Sequence, residues 1–390
     1  MKLLFSICTR TRPHVQKRFL ASPFISKCHF LQKSNLHTCL NPLTTSPCQL
    51  CTNKQRIDYF AHRHYAKDAA LSQHMDCITD DMSGLHNEIN QILHTRMKPL
   101  RDMCCYYFDG NGKQFRPMVV FLISRLCNQH CGLESTVSKE QRKLALIAEM
   151  IHVGSLIHDD VVDFSDVRRG KRSVNALCGD RNAVMAGNYV VANSSKLLAT
   201  IGNSQVTIII SQIIDDIVRG EFMQQDNKDQ FNHYLKKTYK KTASLIANCC
   251  KASACLSSNN QDVIEAAYQY GRNIGIAFQL IDDLLDFVSS SDAMGKPSAA
   301  DLNLGLATAP VLFACDKYPD LHALILRRFG KPGDVAHALE AVHNSSALEE
   351  TRLLAQQYCK DAIAHLSIFQ DSPEKSALVE LTDIVLNRSK

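Results

Sequence analysis

The N-terminal stretch of this 390-residue chain has no acidic residue before Asp58. It carries nine Lys or Arg and many Ser and Thr, a composition typical of a mitochondrial transit peptide. The apolar run MKLLFSIC is soon interrupted by Arg10 and Arg12, which argues against a secretory signal. We expect a transit peptide at 1–60, a linker or N-terminal extension at 61–83, and a mature protein in the mitochondrial matrix. A basic tail for nucleic acid or anionic lipid is the alternative.

The rest of the chain lacks both a basic excess and a long hydrophobic run. Beyond residue 57, acidic residues outnumber Lys and Arg, which gives no support for a nucleic-acid partner. The most apolar stretch, 197–214, is broken by Gly202-Asn203-Ser204-Gln205, a sequence typical of a turn. We therefore predict no transmembrane segment. Peripheral contact with a membrane surface is compatible with the pattern.

The 16 cysteines show no repeated spacing. Most of those outside the predicted presequence lie in apolar helical patterns, as small buried thiols do in a reducing compartment. Cys48 and Cys51 resemble half of a zinc site, but no second pair follows at a suitable distance. The cysteines predict neither a disulfide framework nor a metal site.

Strand-like alternation and linker-like segments are both absent after residue 80. Leu144, Ile147 and Ile151 recur at steps of three and four residues, which is the period of a helix with one buried face. Short Gly-, Pro- and Asn-containing turns separate segments of the same kind. We predict an all-α protein in which a single domain, 84–390, forms a helical bundle around a central cavity.

Two aspartate-rich motifs stand out in this helical pattern. Their acidic residues are Asp159, Asp160 and Asp163 in HDDVVD, the first motif, and Asp282, Asp283 and Asp286 in QLIDDLLDF, the second motif. Residues i and i+4 share a helix face, so Asp159 points the same way as Asp163, and Asp282 the same way as Asp286. Carboxylates on otherwise apolar helices are costly unless they are paired or bind a metal.

Two such faces turned toward each other would form an oxygen-rich cage. Mg²⁺ favours this setting, with one or two carboxylates, several waters and substrate phosphate oxygens. A solvated acidic helix face explains one motif alone, but two copies with the same spacing favour the cage. Basic residues follow the first motif at Arg168, Arg169, Lys171 and Arg172, which indicates an anionic ligand.

These residue types suit the ionisation of an allylic diphosphate. Mg²⁺ held by Asp159, Asp163 and Asp282 would neutralise the diphosphate and help it to leave. The remaining carbocation needs a dry pocket, so that water does not quench it.

The motifs closely resemble those of the trans-polyprenyl diphosphate synthases. The matching segments occur in family order over roughly residues 84–390: GNGKQFRP (110–117), DDVVDFSDVRRG (159–170), KKTASL (240–245), GIAFQLIDDLLDF (275–287) and GKPSAADLNLGLATAP (295–310). Within the family, the chain is most similar to subunit 1 of mitochondrial decaprenyl and solanesyl diphosphate synthases. The resemblance implies a Mg²⁺-dependent prenyltransferase that makes the side chain of ubiquinone.

The resemblance also implies a role for individual residues. Positions matching the isopentenyl diphosphate site are Lys113, Arg116, His152 and Arg169. Positions matching the allylic diphosphate site, for farnesyl or geranylgeranyl diphosphate, are Arg168, Lys241, Thr242, Gln279 and Lys296. Positions matching the metal ligands are Asp159, Asp163, Asp282, Asp283 and Asp286, and Asp160 and Lys241 complete the expected catalytic set. Each of these residues taken alone has a simpler structural explanation; His152, for example, could be a buried core histidine. Only the occurrence of all of them in the family order favours the site.

Product length is predicted from two small residues. Ser155 lies one helical turn before Asp159 on the same face, and Gly154 flanks it. A growing hydrocarbon tail anchored at the metal must pass this level. Because Gly154 and Ser155 leave the passage open about one helical turn (about 6 Å) below the metal, we predict a product of about nine or ten isoprene units, about C45–C50.

Three positions depart from the family pattern. Asn188 stands where an aspartate is usual, Leu306 where a lysine is common, and Asn111 where the first glycine of a Gly-Gly-Lys is common. Leu306 removes one potential diphosphate contact, although the subunit 1 likeness shares this leucine. Asn188 puts one contact near the site in doubt.

Three other functions compete with this one. A non-catalytic partner subunit of the same complex would be expected to lose the aspartate motifs, and both are intact here. A di-iron carboxylate bundle would use the pairs Glu149-x-x-His152 and Glu340-x-x-His343, but it leaves the aspartates and cations unexplained. A head-to-head or cyclising terpene synthase would lack the Lys113 and Arg116 segment. The resemblance implies a hetero-oligomer with polyprenyl diphosphate synthase subunit 2.

Overall fold

The computed structural model of the chain describes residues 75–110, 112, 114–225, 231–288 and 299–388. The helices up to residue 225 are α1 Thr79–Met82, α2 Leu85–Ile92, α3 Lys98–Cys104, α4 Phe115–His130, α5 Lys139–Val162, α6 Val174–Cys178, α7 Asp180–Ala199 and α8 Ser204–Gln225. Those after it are α9 Phe231–Thr238, α10 Ser244–Ser257, α11 Gln261–Val288, α12 Ala300–Asn303, α13 Ala309–Ala314, α14 Leu321–Leu326, α15 Asp334–His343, α16 Ala347–His365 and α17 Pro373–Asn387. The predicted transit peptide, Asn111, Lys113 and Lys296 lie outside the described residues.

A few elements are not α-helical. Tyr239–Ala243 forms a π-helical turn between α9 and α10, which is called the π turn below. Two short 3₁₀ helices cover Met75–Ile78 and Leu366–Ile368. The strands β1 Val167–Arg168 and β2 Lys171–Arg172 pair antiparallel, with Val167 opposite Arg172.

Helix α5 runs through the centre of the fold and carries the first motif at its C-terminal end. A capping box starts it: the Ser138 hydroxyl accepts from the N–H of Gln141, and the Gln141 side chain accepts from the N–H of Ser138. This arrangement satisfies two backbone donors that have no partner inside the helix. Helix α5 is apolar on nearly every side because it packs against α4, α7 and α10.

Helix α11 joins two hydrophobic clusters. Its first half belongs to a large cluster with α4, α5, α7, α10 and α17. Its second half, with Leu280, Ile281 and Leu285, belongs to a cluster with α13, α14, α15 and part of α16. The second motif lies in this half, so α11 brings Asp282, Asp283 and Asp286 alongside α9 and the π turn.

The structure confirms an all-α protein with a single helical domain. The hairpin of β1 and β2, the only strand pair in the described ranges, is too short to leave an alternating pattern in the sequence. Among the described residues, Met75–Ile78 and Thr79–Met82 are already helical ahead of residue 84, because Ile78 is buried against α4 and α17. The predicted turn at Gly202-Asn203 separates α7 from α8. Within the described residues, no helix is long and apolar enough to cross a membrane.

Candidate active site

The first motif places Asp159 and Asp163 together at the end of α5. Asp163 caps the helix, and its N–H donates to the carbonyl of Asp159 over 2.8 Å. Burial raises the pKa of Asp159 to about 6; Glu221 and Asp163 act in the same direction, while Lys241 and Arg168 oppose them. The site therefore holds a half-buried carboxyl whose charge is only partly balanced, which a cation would stabilise.

Asp160 points the other way, into the protein. It is fully buried, and its Oδ2 accepts a hydrogen bond of 2.8 Å from the Tyr107 hydroxyl. Its Oδ1 accepts from the Arg168 guanidinium, with Nε at 2.8 Å and Nη2 at 2.6 Å. The structure thus places Asp160, predicted as catalytic, in a pair with Arg168, predicted to hold the allylic diphosphate. Both oxygens of Asp160 have protein partners in this arrangement.

The carboxylates of the second motif are each held by a different element. Asp282 pairs with Arg388 near the C-terminus, 2.8 Å away. Asp283 is buried and accepts from the Tyr234 hydroxyl at 2.5 Å and from Gln279 at 2.8 Å. Asp286 accepts from the N–H groups of Ala300 and Asp301, at 3.1 and 3.0 Å, and so joins α11 to α12.

Asp283 has a raised pKa of about 6, chiefly because it is buried. The hydrogen bonds from Tyr234 and Gln279 and the charge of Lys237 lower it in part. The second motif therefore resembles the first in that burial disfavours the ionised form of one carboxyl.

The π turn places Lys241 and Thr242 between the motifs. Lys241 Nζ lies 2.7 Å from Glu221 Oε2 and donates to Gln224 Oε1 at 2.9 Å. The Thr242 hydroxyl donates to Gln279 at 2.8 Å, and Gln279 in turn donates to Asp283. π-Helical turns occur often at functional sites, and this one connects the predicted allylic-site residues to the second motif.

Two glycines let neighbouring helices approach this turn. A Cβ atom added to Gly220 on α8 would lie 2.8 Å from the backbone nitrogen of Lys241. One added to Gly275 on α11 would lie 2.7 Å from Cα of Ala243. Real Cβ atoms do not come so close to other heavy atoms, so both positions require glycine for the turn to lie where it does.

Each aspartate motif interacts with a different one of two lysines that lie one helical turn apart. Lys241 interacts electrostatically with Asp159 and Asp163 of the first motif, which help to raise its pKa. Lys237, one helical turn before it, has a pKa lowered by burial and by Lys241, and Asp283 of the second motif opposes this shift. The first motif therefore lies near Lys241 and the second near Lys237, and the facing arrangement of the two motifs stays a prediction.

A second basic cluster lies beside α5. Arg116 is half-buried, and its Nε is shielded from solvent and has no hydrogen-bond partner among the described residues. Burial, together with Arg116, Arg169 and Arg168, holds the pKa of His152 well below its usual range, so the ring is neutral at pH 7. Glu149, one turn earlier on α5, is the buried counter-charge of Arg116 and Arg169. The structure brings together the three described residues predicted to bind isopentenyl diphosphate.

The hairpin turn holds Arg169 in a strained conformation. Arg169 and Gly170 join β1 to β2, and both have positive φ, 52° and 74°. A Cβ added to Gly112 would lie 3.0 Å from Arg169 Nη1, so the loop before α4 approaches this guanidinium closely. Gln114, in the same loop, also has a left-handed backbone and contacts His86 through its side chain. Non-glycine residues in this region cluster at functional sites.

Gly154 and Ser155 have different surroundings. A Cβ atom on Gly154 would lie 2.9 Å from Cγ2 of Val191 on α7, so this glycine allows α5 and α7 to pack closely. Ser155 is half-buried, and its hydroxyl donates to the carbonyl of His152 at 2.8 Å. Helix packing therefore gives Gly154 a structural role, and the chain-length role of Gly154 and Ser155 stays a prediction.

The donor set at the first motif fits a hard divalent cation. Asp159 and Asp163 offer carboxylate oxygens, the ligands that Mg²⁺ and Ca²⁺ prefer. Among the described residues, no three His, Cys, Asp or Glu side chains form a metal cluster by themselves. A cation here would therefore need further oxygens from water or from a phosphate substrate.

The di-iron alternative does not fit the structure. Glu149 and His152 lie among arginines, whose positive charge opposes a metal cation. Glu340 and His343 are exposed on α15. The four side chains required for such a site therefore do not share one buried core position.

Comparison with known proteins agrees with this site. The family model described as polyprenyl synthetase matches residues 97–342. The human protein named all trans-polyprenyl-diphosphate synthase PDSS1 is 49% identical over 351 residues, covering 87% of this chain and 84% of the relative. Decaprenyl-diphosphate synthase subunit 1 of Schizosaccharomyces pombe is 40% identical over 342 residues, covering 80% and 90%.

A solved structure shares the fold. The polyprenyl synthase from Caulobacter crescentus CB15, crystallised with calcium and isoprenyl diphosphate, superimposes with a TM-score of 0.74 at 28% identity, covering 82% of this chain and 98% of that one. Fold, site and relatives define a prenyltransferase of the isoprenoid-synthase helical type. The chain belongs to the polyprenyl synthetase family, whose members use a divalent metal, and it is a polyprenyl diphosphate synthase.

Several residues of the site were not predicted from the sequence. They are Tyr107, Glu149, Glu221, Gln224, Tyr234, Lys237 and Arg388. Glu221 and Gln224 could have been predicted, because residues three apart share one face of a helix. That helix precedes the lysine-rich segment 236–241. No sequence pattern pointed to Arg388, because its partner Asp282 is more than a hundred residues away.

Proposed function

We propose that this protein condenses isopentenyl diphosphate with an allylic diphosphate, farnesyl or geranylgeranyl diphosphate, in a Mg²⁺-dependent reaction. The product is an all-trans polyprenyl diphosphate of about C45–C50, because Gly154 and Ser155, about one helical turn (about 6 Å) before Asp159, carry no bulky side chain that would block a growing tail. It provides the side chain of ubiquinone. The observation that carries this proposal is the pairing of Lys241 with acidic residues between the two aspartate motifs.

The allylic diphosphate is held at the π turn. Lys241 and Thr242 donate to its oxygens, together with Gln279 and Lys296, and Arg168 approaches from the hairpin side. Asp159, Asp163 and Asp282, assisted by Asp283 and Asp286, would hold Mg²⁺, which would neutralise the diphosphate and improve it as a leaving group. Lys241 adds positive charge where the leaving oxygen becomes negative, which is a large catalytic contribution in a dry site.

The isopentenyl diphosphate is held by the second basic cluster. Arg116 and Arg169 supply fixed positive charge, neutral His152 donates a hydrogen bond, and Lys113 completes the set. Arg116 has an unsatisfied buried nitrogen among the described residues, and a buried donor without a partner is costly. A bound phosphate oxygen would satisfy it.

The reaction then balances within the two substrates. The C–O bond of the allylic substrate breaks and its electron pair leaves with the diphosphate. The double bond of isopentenyl diphosphate attacks the resulting cation and a C–C bond forms. The released diphosphate accepts the proton lost from the neighbouring carbon, so no protein base is required. The apolar surroundings of α5 and α11 exclude water from the cation.

The test is a condensation assay of the chain co-expressed with polyprenyl diphosphate synthase subunit 2, using radiolabelled isopentenyl diphosphate, farnesyl diphosphate and Mg²⁺, followed by chromatographic sizing of the product. We expect long products that disappear when EDTA is added. The absence of any labelled polyprenyl product under these conditions would contradict the proposal. Lys241→Gln should weaken the binding of the allylic substrate, and Arg116→Gln should weaken the binding of isopentenyl diphosphate.

The chain works with a second, less conventional subunit, polyprenyl diphosphate synthase subunit 2, in a hetero-oligomer. The family resemblance supports this part of the proposal. The condensation assay is repeated with and without the co-expressed partner, and full long-chain activity of the chain alone would contradict it.

The mature enzyme resides in the mitochondrial matrix. Residues 1–60 are removed as a transit peptide, and 61–83 form an N-terminal extension. The acid-free, basic N-terminal composition supports this assignment. Import of the full chain into isolated mitochondria, with N-terminal sequencing of the mature form, tests it. An uncleaved chain outside the organelle would contradict it.

A further inference from the structure

Helix α8 contacts the π turn at three successive points. Asp216 Oδ1 accepts from Lys240 Nζ at 2.6 Å, and Asp216 Oδ2 accepts from the Ser244 hydroxyl at 2.6 Å. Gly220 lies against the backbone of Lys241. Glu221 then pairs with Lys241 Nζ. Each contact fixes a different part of the turn, so α8 sets both its position and its rotation.

Asp216 is the buried member of this set. It is 3% exposed, and Gln212 on the same helix also donates to Oδ1 at 3.2 Å. Asn248 donates to Ser244, which continues the hydrogen-bonded network into α10. A buried carboxylate is costly unless it is paired and hydrogen-bonded, and this one has three side-chain partners. Both carboxylate oxygens of Asp216 bind these protein partners, so we assign Asp216 no direct contact with a substrate.

The π turn makes this anchorage necessary. Lys240 and Lys241 are adjacent in sequence, yet they reach two carboxylates five residues apart on α8. A π turn contains one more residue per turn than an α-helix. If the turn relaxed to α-helix, residues on one side would shift register by one and rotate by about 100°. Lys241 would then lose its direction toward Asp159 and Asp163.

We propose that Asp216 is a positioning residue for Lys241: by holding Lys240 and Ser244, it keeps the π turn in the register that presents Lys241 to the allylic diphosphate. The inference rests on the proposed function of Lys241. It assigns the allylic site an element, α8, that lies outside the aspartate motifs and the lysine segment. It also explains why Gly220 must lack a side chain.

The test compares Asp216→Asn with a matched control, Asp334→Asn. Asp334 on α15 is also buried and pairs with a basic residue, Arg327. Its carboxylate accepts from Arg327 and from the N–H of Lys331, neither of which belongs to the π turn. Both variants lose one buried charge pair, so both are expected to lower the melting temperature. KM for farnesyl diphosphate and for isopentenyl diphosphate is measured separately for each.

We expect Asp216→Asn to raise KM for farnesyl diphosphate by roughly tenfold or more, since small misplacements of a positioning group have large effects. KM for isopentenyl diphosphate should change less than twofold by the same reasoning. Asp334→Asn should leave both constants near those of the wild type. Equal rises for both substrates in Asp216→Asn, or no rise in either, would overturn the proposal.

Lys240→Gln serves as a second variant in case Asp216→Asn fails to fold. This substitution removes the same Lys240–Asp216 ion pair at a partly exposed side chain. It should show the same selective rise in KM for farnesyl diphosphate. Equilibrium binding of a non-ionisable farnesyl thiolodiphosphate separates this inference from the proposed function. If Lys241→Gln weakens the analogue but the Asp216 and Lys240 variants do not, the positioning role is wrong. If the wild type does not bind the analogue, the proposed function itself is wrong.

Discussion

The hydroxyl of Tyr234 donates a hydrogen bond of 2.5 Å to Asp283. The hydroxyl of Tyr107 does the same for Asp160 at 2.8 Å. Asp160 and Asp283 are the second aspartates of their motifs, and both are buried. In each motif a tyrosine thus holds the second carboxylate inside the protein, next to the first aspartate at the site.

Replacing these tyrosines should cost stability. A hydrogen bond to a charged group is worth about 1.5–3 kcal/mol, more than a neutral one at about 1 kcal/mol. We therefore expect Tyr234→Phe and Tyr107→Phe to reduce the free energy of unfolding more than Tyr270→Phe, whose hydroxyl donates to the carbonyl of Leu378. Urea denaturation measures the three losses. Equal losses in all three variants would show that the carboxylates do not depend on these hydroxyls.

Asp159→Asn should stabilise the metal-free protein while it abolishes turnover. The pKa of Asp159 is raised from 3.8 to about 6, so its ionised form costs on the order of 3 kcal/mol at pH 7. As the pH falls from 7 toward 4, the native state takes up this proton before the unfolded state does. The wild type should therefore gain stability from this group over that window, and the variant should not.

Melting temperatures in EDTA at pH 7.5 and pH 5 check this expectation. Asp215→Asn is the control, because Asp215 is exposed and pairs with Arg219 on the same helix. That variant should have little effect on either temperature. A destabilised Asp159→Asn at pH 7.5 would mean that its contacts outweigh the burial of its charge.

Arg169→Asn should make the protein more stable and less active. Arg169 occupies a left-handed position, which costs about 1 kcal/mol for most residues and less for Asn. Losing its guanidinium should raise KM for isopentenyl diphosphate by roughly tenfold or more, the equivalent of one charged hydrogen bond. Thermal melts and steady-state kinetics measure both effects. The control is Arg172→Asn. Arg172 is a nearby cation whose guanidinium donates to the carbonyl of Ala176, and its loss should leave this KM unchanged.

Ser155→Phe should shorten the products. The aromatic ring would project one helical turn below Asp159 and block the growing tail. Chromatographic sizing measures the change, with Ser211→Phe at an exposed site on α8 as the control. An unchanged length distribution would reject this path for the hydrocarbon. Gly154→Phe is less informative, because Val191 leaves no room for the ring.

Periodicity in the sequence was enough to predict the helices and the shared face of Asp159 and Asp163. Both depend on residues close in the chain, where spacing of three and four residues defines the geometry. The same spacing could not show that Asp160 and Asp283 are held by tyrosines. These partners lie 53 and 49 residues away, so only the packed structure brings them together.

The π turn was also beyond sequence reasoning. Its residues, YKKTA, have the pattern of an ordinary helix, because no local feature distinguishes five residues of π-helix from α-helix. Its position depends on Gly220 and Gly275, which lie on two other helices. The hairpin was missed for a related reason: two-residue strands carry no alternation, and Arg169 is not a residue that turns of this type favour.

The large hydrophobic cluster contains both ends of the described chain. Ile78, in the first 3₁₀ helix, and Leu378 and Leu381, in α17, are buried in it. The core that carries the first motif is therefore incomplete until the last helix has been synthesised. A ribosome-bound or prematurely terminated chain that lacks α17 would therefore keep an apolar surface of this core exposed to chaperones.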